Sequence, residues 1–377
     1  MPTESLAAVL EAPIDDDTAF TDGRPVSVEE VQVADPTGEE VLVEIEATSL
    51  CHTDVGFARG HFDTPYPLVL GHEGAGVVRE VGDQVAELDP GDHVVLGRIA
   101  CGRCSQCRAG HSNLCSRRVP ANESGRLRTG TVPFSRDGDP VHHCLGVSSF
   151  TEYTLVTEDV AIPVTDDLPM DRACLLGCGV FTGFGAVENT AGVRIGDSVA
   201  IFGVGGVGLN GVQAARICEA DPIIAVDMVP EKLDLAREMG ATHTIDASDG
   251  DPVDAIREIF PEGVDYAFEM TGHSGVITQG LDAVGSKGEV IVVGVPPFGK
   301  ESVDLDVYGM LFGEKAIRGS LSGSYNLPLA IPKLADLVAD GTLSLDPLVT
   351  DTRSMADINE AMDALEDGGQ IRQLIVP

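Results

Sequence analysis

The chain has 377 residues, 43% hydrophobic and 23% charged, a composition that excludes a mainly disordered, collagen-like or coiled-coil protein and favours two or three domains at about 100–200 residues each. Its 61 acidic against 24 basic residues give a formal charge of −37, which disfavours nucleic acid and anionic membranes as partners, since both require neutralising cations. No apolar run reaches about 18 residues, so no transmembrane helix is expected, and Met1-Pro2-Thr3-Glu4-Ser5 does not begin a secretory signal.

The acids are interspersed with apolar residues rather than gathered in one tract. An acid-rich surface on a folded chain points to adaptation to high salt, where screening tolerates self-repulsion. The nine cysteines are odd in number and clustered in part. In a long chain without a signal this points to metal binding in a reducing, cytoplasmic compartment rather than to disulfides.

The first 100 residues read as β-rich. Residues 41–46, 74–78 and 93–96 are strand candidates, the last preceded by the turn chemistry of Asp89-Pro90-Gly91-Asp92. Residues 101–148 read as loop, with many Gly, Ser, Arg and Asn and little periodicity. Inside that stretch lies Cys101-Gly102-Arg103-Cys104-Ser105-Gln106-Cys107, then seven residues, then Cys115. Four thiolates at this spacing satisfy tetrahedral Zn²⁺ and leave no open position, so a structural zinc is expected.

From residue 197 short apolar runs alternate with helical stretches. Strands are expected at 198–202, 223–226, 264–269, 290–293 and 316–320, and helices at 207–219, 231–239 and 254–259. This alternation means a parallel sheet with helices on both faces, with six strands expected. Helices at 327–339 and 355–365 follow, the second started by Ser354 and stopped by Gly368.

The strand at 198–202 runs into Gly203-Val204-Gly205-Gly206-Val207-Gly208 and then a helix. Gly203 permits the tight turn, Gly205 lets the backbone approach a pyrophosphate, and Gly208 allows close helix packing. Asp227 ends the next strand, 19 residues after Gly208. Its carboxylate there accepts from ribose hydroxyls and repels a 2′-phosphate, so NAD is expected rather than NADP. Lys232 covers the same ribose or stands as a solvated lysine.

Cys51-His52-Thr53-Asp54, Gly71-His72-Glu73 and Gly177-Cys178-Gly179 add two thiolates and an imidazole. A Cys₂His set with an open fourth position is a catalytic zinc pattern. The three lie far apart in sequence, and by spacing alone two buried cysteines and a core histidine are an equal reading.

These segments, with Gly74-Ala75-Gly76, Thr182-Gly183, the quartet, the glycine loop, Gly294-Val295-Pro296-Pro297 and Gln370-Ile371-Arg372, resemble the zinc-dependent medium-chain alcohol dehydrogenases over nearly the full length. The likeness is to the long, liver-type and formaldehyde-type branch, and residues 93–115 are similar also to the nicotinoprotein aryl alcohol branch. The resemblance implies a β-rich GroES-like catalytic domain over 1–179 and 323–377. A doubly wound Rossmann NAD domain over 180–322 is inserted in it, with the active site in the cleft between.

It further implies a catalytic zinc on Cys51, His72 and Cys178, Asp54 holding the zinc histidine, and Glu73 behind the metal. Thr53 takes the alcohol proton. His52 and Arg372 bind pyrophosphate, Thr182 and Val207 pack near nicotinamide, and Gly206, Val293 and Val295 complete the cofactor set. A homodimer paired along the edge strand at 316–321 is implied too. Two departures stand out. Gly56 occupies the place where relatives end their proton relay in a histidine, leaving water or His61. Arg117 and Arg118 lie near the place of the formaldehyde-type branch's carboxylate-binding arginine, but the local length differs. Cys144, Cys174 and Cys218 are expected to be buried packing residues. The expected activity is NAD-linked oxidation of small alcohols. A formaldehyde–thiol adduct dehydrogenase or a nicotinoprotein aryl alcohol dehydrogenase is the alternative, and a non-catalytic dinucleotide-binding protein the distant one; the last predicts a broken zinc set, whereas all three ligands are present.

Overall fold

The computed structural model describes residues 2–296 and 302–377. Pro297, which closes the Gly294-Val295-Pro296-Pro297 segment, lies outside the described residues. The chain divides into two compact units, Met1–Cys178 with Tyr325–Pro377, and Gly179–Ser324.

In the first unit Val41-Leu42-Val43-Glu44-Ile45 belongs to the strand Glu40–Leu50. Successive side chains of a strand point to opposite faces. Val41, Val43 and Ile45 accordingly enter one core with Val78, Val94, Leu96 and Ile99. Leu42 enters another with Val9, Val31, Val69 and Phe134. Burial on both faces is why this run alternates only in part. Glu40–Leu50 pairs antiparallel with Gly74–Val81, Tyr153–Thr157 and Arg372–Val376. Among the described residues it is the hub of a seven-stranded sheet, beside a closed barrel formed by Thr3–Leu10, Val26–Val33, Phe134–Arg136, Asp139–His143 and Leu68–Val69. A third core gathers Leu10, Phe20, Leu50, Phe57, Phe150 and Met362.

The loop expected over 101–148 is only partly one. It holds the short helices Ser105–Arg108 and Arg118–Ser124 and two barrel strands. Phe134–Arg136 and Asp139–His143 form a hairpin turned by Asp137-Gly138, with φ of +54° and +89°. That dipeptide is a strong two-residue hairpin signal, and it escapes a search for periodicity because the strands have three and five residues.

The second unit carries, among the described residues, six parallel strands in the order His243–Asp246, Ile223–Asp227, Val199–Phe202, Val264–Glu269, Val284–Val292 and Ala316–Gly319. Counted along the chain this order is 3-2-1-4-5-6, the doubly wound arrangement, which opens a ligand crevice where the order reverses. The strand expected at 290–293 starts earlier, at Val284, because Gly285, Lys287 and Gly288 mask its pattern. A helix, Ser274–Ala283, precedes it. Ser354 caps as expected, its side chain accepting from the Ala356 N–H, and the helix Ile358–Glu366 follows. Among the described residues no single helix is long and apolar enough to cross a membrane.

Candidate active site

In the first unit Cys51 is the N-cap of the helix His52–Ala58. Its sulfur accepts from the backbone of Asp54, and the Asp54 carboxylate accepts from the Cys51 N–H at 3.1 Å. This reciprocal cap fixes both side chains. The other Asp54 oxygen takes the Gly71 N–H at 3.2 Å and lies 2.9 Å from His72 Nδ1. Asp54 and His72 are fully buried. With Nδ1–H given to Asp54, the lone pair of His72 sits on Nε2, which is buried and makes no hydrogen bond.

Four donor atoms, one each from Cys51, His72, Glu73 and Cys178, lie within 4.8 Å of one another. Sulfur and nitrogen ligands about 2.0–2.3 Å from a tetrahedral zinc stand about 3.3–3.8 Å apart, so this set fits such an ion after small adjustments. Glu73, expected behind the metal, contributes one of the four atoms. Its Oε1 is 3.4 Å from Nη1 of Arg372.

The electrostatics agree with a cation-seeking centre. Hydrogen bonding from Cys178 holds the Cys51 sulfur well below the ordinary thiol value, against burial and with help from Arg372 and His72. The same bond, with burial, pushes Cys178 up. Burial works to lower His72, but the Asp54 carboxylate and then Cys51 outweigh it and raise it to about 10. Burial raises Glu73 to about 7 despite Arg372. The buried anions favour positive charge at His72, and a divalent ion on its Nε2 meets that demand in the proton's place.

The quartet converges as well. One sulfur each from Cys101, Cys104, Cys107 and Cys115 lies within 4.8 Å of the others. Cys104 caps the helix Ser105–Arg108, accepting from the Cys107 N–H at 3.4 Å. That bond, with one from Ser116, lowers Cys104 to about 5.

In the second unit Gly203 has φ +86°, and a Cβ on Gly208 would stand 2.0 Å from the Gly203 carbonyl oxygen. Both positions therefore require glycine. A Cβ on Gly205 meets nothing within 4 Å, which leaves this backbone open to a ligand at the start of the helix Gly208–Ile217. Asp227 accepts from the Val204 N–H at 2.8 Å through one oxygen and from Met228 and Val229 through the other. Thr182 lies on the helix Gly179–Gly185, where Gly183 packs on the Val207 carbonyl. Gly206 and Val207 are half-buried, as is Lys232 on the helix Pro230–Met239. Val293 is buried and Val295 exposed.

Of the remaining expected residues, His52 is exposed and Thr53 half-buried beside Cys51. His61 Nε2 lies 3.0 Å from Asp16. A Cβ at Gly56 would meet the Phe62 ring at 2.7 Å, so a histidine there requires that ring to move. Cys144 and Cys174 are buried, but Cys218 is only half-buried, because it ends a helix near the surface. One residue escaped the sequence reading. Arg98 gives Nη2 to the Cys178 sulfur at 3.2 Å. A lone cation inside the apolar run Val94-Val95-Leu96-Gly97-Arg98-Ile99 was its only signal.

Residues 37–166 match the alcohol dehydrogenase GroES-like domain and residues 206–340 the zinc-binding dehydrogenase domain. The chain is 40% identical over 364 residues to an S-(hydroxymethyl)glutathione dehydrogenase of Escherichia coli, covering 95% of this chain and 98% of that one. An alcohol dehydrogenase zinc-binding domain protein of Burkholderia ambifaria is similar over the whole of both chains, with TM-score 0.94 and 42% identity. Benzyl alcohol dehydrogenase of Acinetobacter calcoaceticus matches over 99% of each chain, with TM-score 0.92 and 36% identity.

Proposed function

This chain is a member of the zinc-dependent medium-chain alcohol dehydrogenase family, and from that premise we propose that it oxidises primary and secondary alcohols reversibly to aldehydes and ketones with NAD⁺. The observation that carries the reading is the convergence of Cys51, His72, Glu73 and Cys178 around a bare, buried imidazole nitrogen. When bound, zinc supplies Lewis acidity to the substrate oxygen and the nicotinamide accepts the hydride.

The chain's residues do the rest. Asp54 fixes the His72 tautomer by accepting its Nδ1–H. Cys51, His72 and Cys178 hold the ion. Arg372 balances Glu73 and, with His52, meets the pyrophosphate. Thr53 takes the substrate's hydroxyl proton at its Oγ1. The Gly203–Gly208 turn presents N–H groups to the phosphates, Asp227 accepts from the ribose, and Thr182, Val207, Val293 and Val295 wall the nicotinamide. The quartet holds a second, structural zinc. The chain pairs as a homodimer along Ala316–Gly319, the outer strand of its sheet, beside the exposed Val307, Leu311 and Phe312.

The test is NAD⁺ reduction by purified zinc-loaded protein over short, long and aromatic alcohols, with formaldehyde offered with and without glutathione. Turnover of alcohols is the expected result. Turnover of formaldehyde only with the thiol would establish instead the activity named for the Escherichia coli relative, and no turnover at all would refute both. For the cofactor, Asp227→Gly is expected to raise the NADP⁺/NAD⁺ ratio of kcat/KM at least about tenfold, as one repulsive contact is removed. A wild type that uses NADP⁺ as well as NAD⁺ refutes the assignment.

The acidic surface is proposed to be a high-salt adaptation. The Debye length falls from about 10 Å at 0.1 M to about 3 Å at 1 M salt. A charge of −37 is then felt only between neighbours. Melting temperature should rise by about 10 °C or more from low salt to molar KCl, or roughly 3 kcal/mol for units of this size. Equal melting temperatures would remove the support for this reading.

A further inference from the structure

Glu269 ends the strand Val264–Glu269 and is 2% exposed. It pairs in register with Phe202, which ends the neighbouring strand Val199–Phe202. It therefore lies at the carboxyl ends of the two strands between which the sheet order reverses. Among the described residues the polar contacts of its side chain are three hydrogen bonds, all to Oε1. They come from the Thr271 N–H and hydroxyl, each at 2.6 Å, and from the Gly272 N–H at 2.7 Å. A buried carboxylate that meets no cation is costly. The three donors offset part of that cost, and in return they fix the segment that carries them.

That segment is packed backbone to backbone on two sides. A Cβ on Gly203 would stand 2.6 Å from Thr271 Cγ2, and a Cβ on Gly294 would collide with the Gly272 nitrogen. Gly272 has φ +81°, and its own Cβ would meet the Val295 carbonyl oxygen at 2.9 Å. The Glu269 main-chain oxygen adds bonds from the Val293 and Gly294 N–H groups at 2.9 and 3.0 Å. Val293 and Val295 are the residues proposed above to wall the nicotinamide. Val295 is exposed, so its place depends on the backbone contact with Gly272 and not on a core. Thr271 is exposed too. Without the carboxylate its N–H and hydroxyl turn to water, and the segment is free to leave Gly294.

We infer that Glu269 is a positioning residue for the nicotinamide end of the cofactor, acting through Gly272 on the place of Val295. This role deepens the proposed alcohol dehydrogenase reading and rests on it.

Glu269→Ala, Glu269→Gln and Glu269→Asp are compared with the wild type. Thr271→Val, which removes one of the three bonds at an exposed position, is carried beside them in case the Glu269 variants do not fold. Melting temperature and zinc content are measured for each. Calorimetry reads the binding of NADH and of ADP-ribose, which shares every part of the cofactor but the nicotinamide, and benzyl alcohol with NAD⁺ gives kcat and KM. Glu269→Ala should weaken NADH about tenfold and lower kcat by up to about a hundredfold, the scale of a misplacement of about 1 Å, with ADP-ribose affinity kept within about threefold. KM for the alcohol should stay near wild type. Glutamine keeps an acceptor oxygen but brings an NH₂ to the place of Oε2, which lies 2.8 Å from where a Gly294 Cβ would stand, so it should recover part of both losses. Aspartate keeps the charge but is one methylene short, and it should recover neither. Thr271→Val should shift NADH binding the same way by a smaller factor.

Equal weakening of NADH and ADP-ribose overturns this role, because a general loosening of the fold does that. An alanine variant with wild-type NADH affinity and kcat overturns it as well. An aspartate variant that matches wild type while glutamine fails assigns Glu269 a charge role instead. If the Glu269 variants do not fold, an unchanged NADH to ADP-ribose affinity ratio in Thr271→Val overturns it. A wild type that binds NADH but oxidises no alcohol refutes the proposed function alone, and the binding series still judges Glu269. A wild type that binds no NADH refutes both.

Discussion

Cys51→Ser is expected to cut alcohol-dependent NAD⁺ reduction below about a thousandth of wild type, on the scale of removing a main electrostatic element of an active site. Zinc should fall from two ions per chain to one. The substitution is chosen because Cys51 has two jobs. It caps the helix His52–Ala58, and its sulfur is one of the four converging donors. Serine is itself a favoured N-cap, so the reciprocal bonds with Asp54 survive and the helix start is kept. A hydroxyl does not ionise as a thiol does and is a poor substitute for zinc-bound thiolate. The loss therefore falls on the metal and not on the fold, and an unchanged melting curve for the remaining structure should accompany it. Metal analysis and circular dichroism on the same preparation check this. A folded wild type with one zinc or none, or a serine variant that keeps two zincs and full activity, refutes it.

Cys104→Ser should have the opposite profile. The alcohol-binding centre keeps its zinc, and the loss is one of stability. The segment around the quartet buries little of its own. Cys115 and Ala121 enter a core of the first unit, while Leu114 and Val119 are about half exposed. Among its polar ties, the exposed Arg103 bonds Glu39, and exposed ion pairs contribute little. Structural zinc supplies folding free energy directly, about 10–16 kcal/mol in isolated finger peptides. A segment anchored at both ends recovers only part of this, so a loss on the order of 3 kcal/mol or more is expected. Serine again preserves the helix cap on Ser105–Arg108. Trypsin should cut the variant rapidly at Arg103, Arg108, Arg117 or Arg118 while the wild type resists. Equal resistance and equal melting would show that the segment stands without its metal.

Some of this was legible in the sequence, for physical reasons. The quartet and the glycine turn are local devices. Their chemistry fixes residue types over a few positions, and the structure brings the four sulfurs together and sets Gly203 and Gly208 where a side chain cannot go. Cys51, His72 and Cys178 are separated by 21 and 106 positions, and only strand pairing makes them neighbours. The residues alone left them undecided, and a family resemblance was needed to group them. The barrel strands Leu68–Val69 and Phe134–Arg136 are too short to show a period. Arg98 belongs to no motif. It becomes visible only when its guanidinium is found on Cys178. The place of Glu73 among the four donors is likewise a matter of how the chain runs from His72 into the strand Gly74–Val81, which composition does not encode.

The order of synthesis gives the hub strand a further meaning. Glu40–Leu50 emerges early from the ribosome, yet its partner strand brings Gln373 to Leu50, 323 residues later. At about 5–20 residues per second that interval is roughly 16–65 s. The second unit, contiguous from Gly179 to Ser324, can complete its sheet meanwhile. Throughout that time Glu73 lacks Arg372, the first residue of the strand Arg372–Val376, whose guanidinium lies against its buried carboxylate. The nascent first unit thus holds an open sheet edge, and a carboxylate still short of its arginine, until the last strand is made. Occupation of the centre by metal before then would steady the very segment that is waiting.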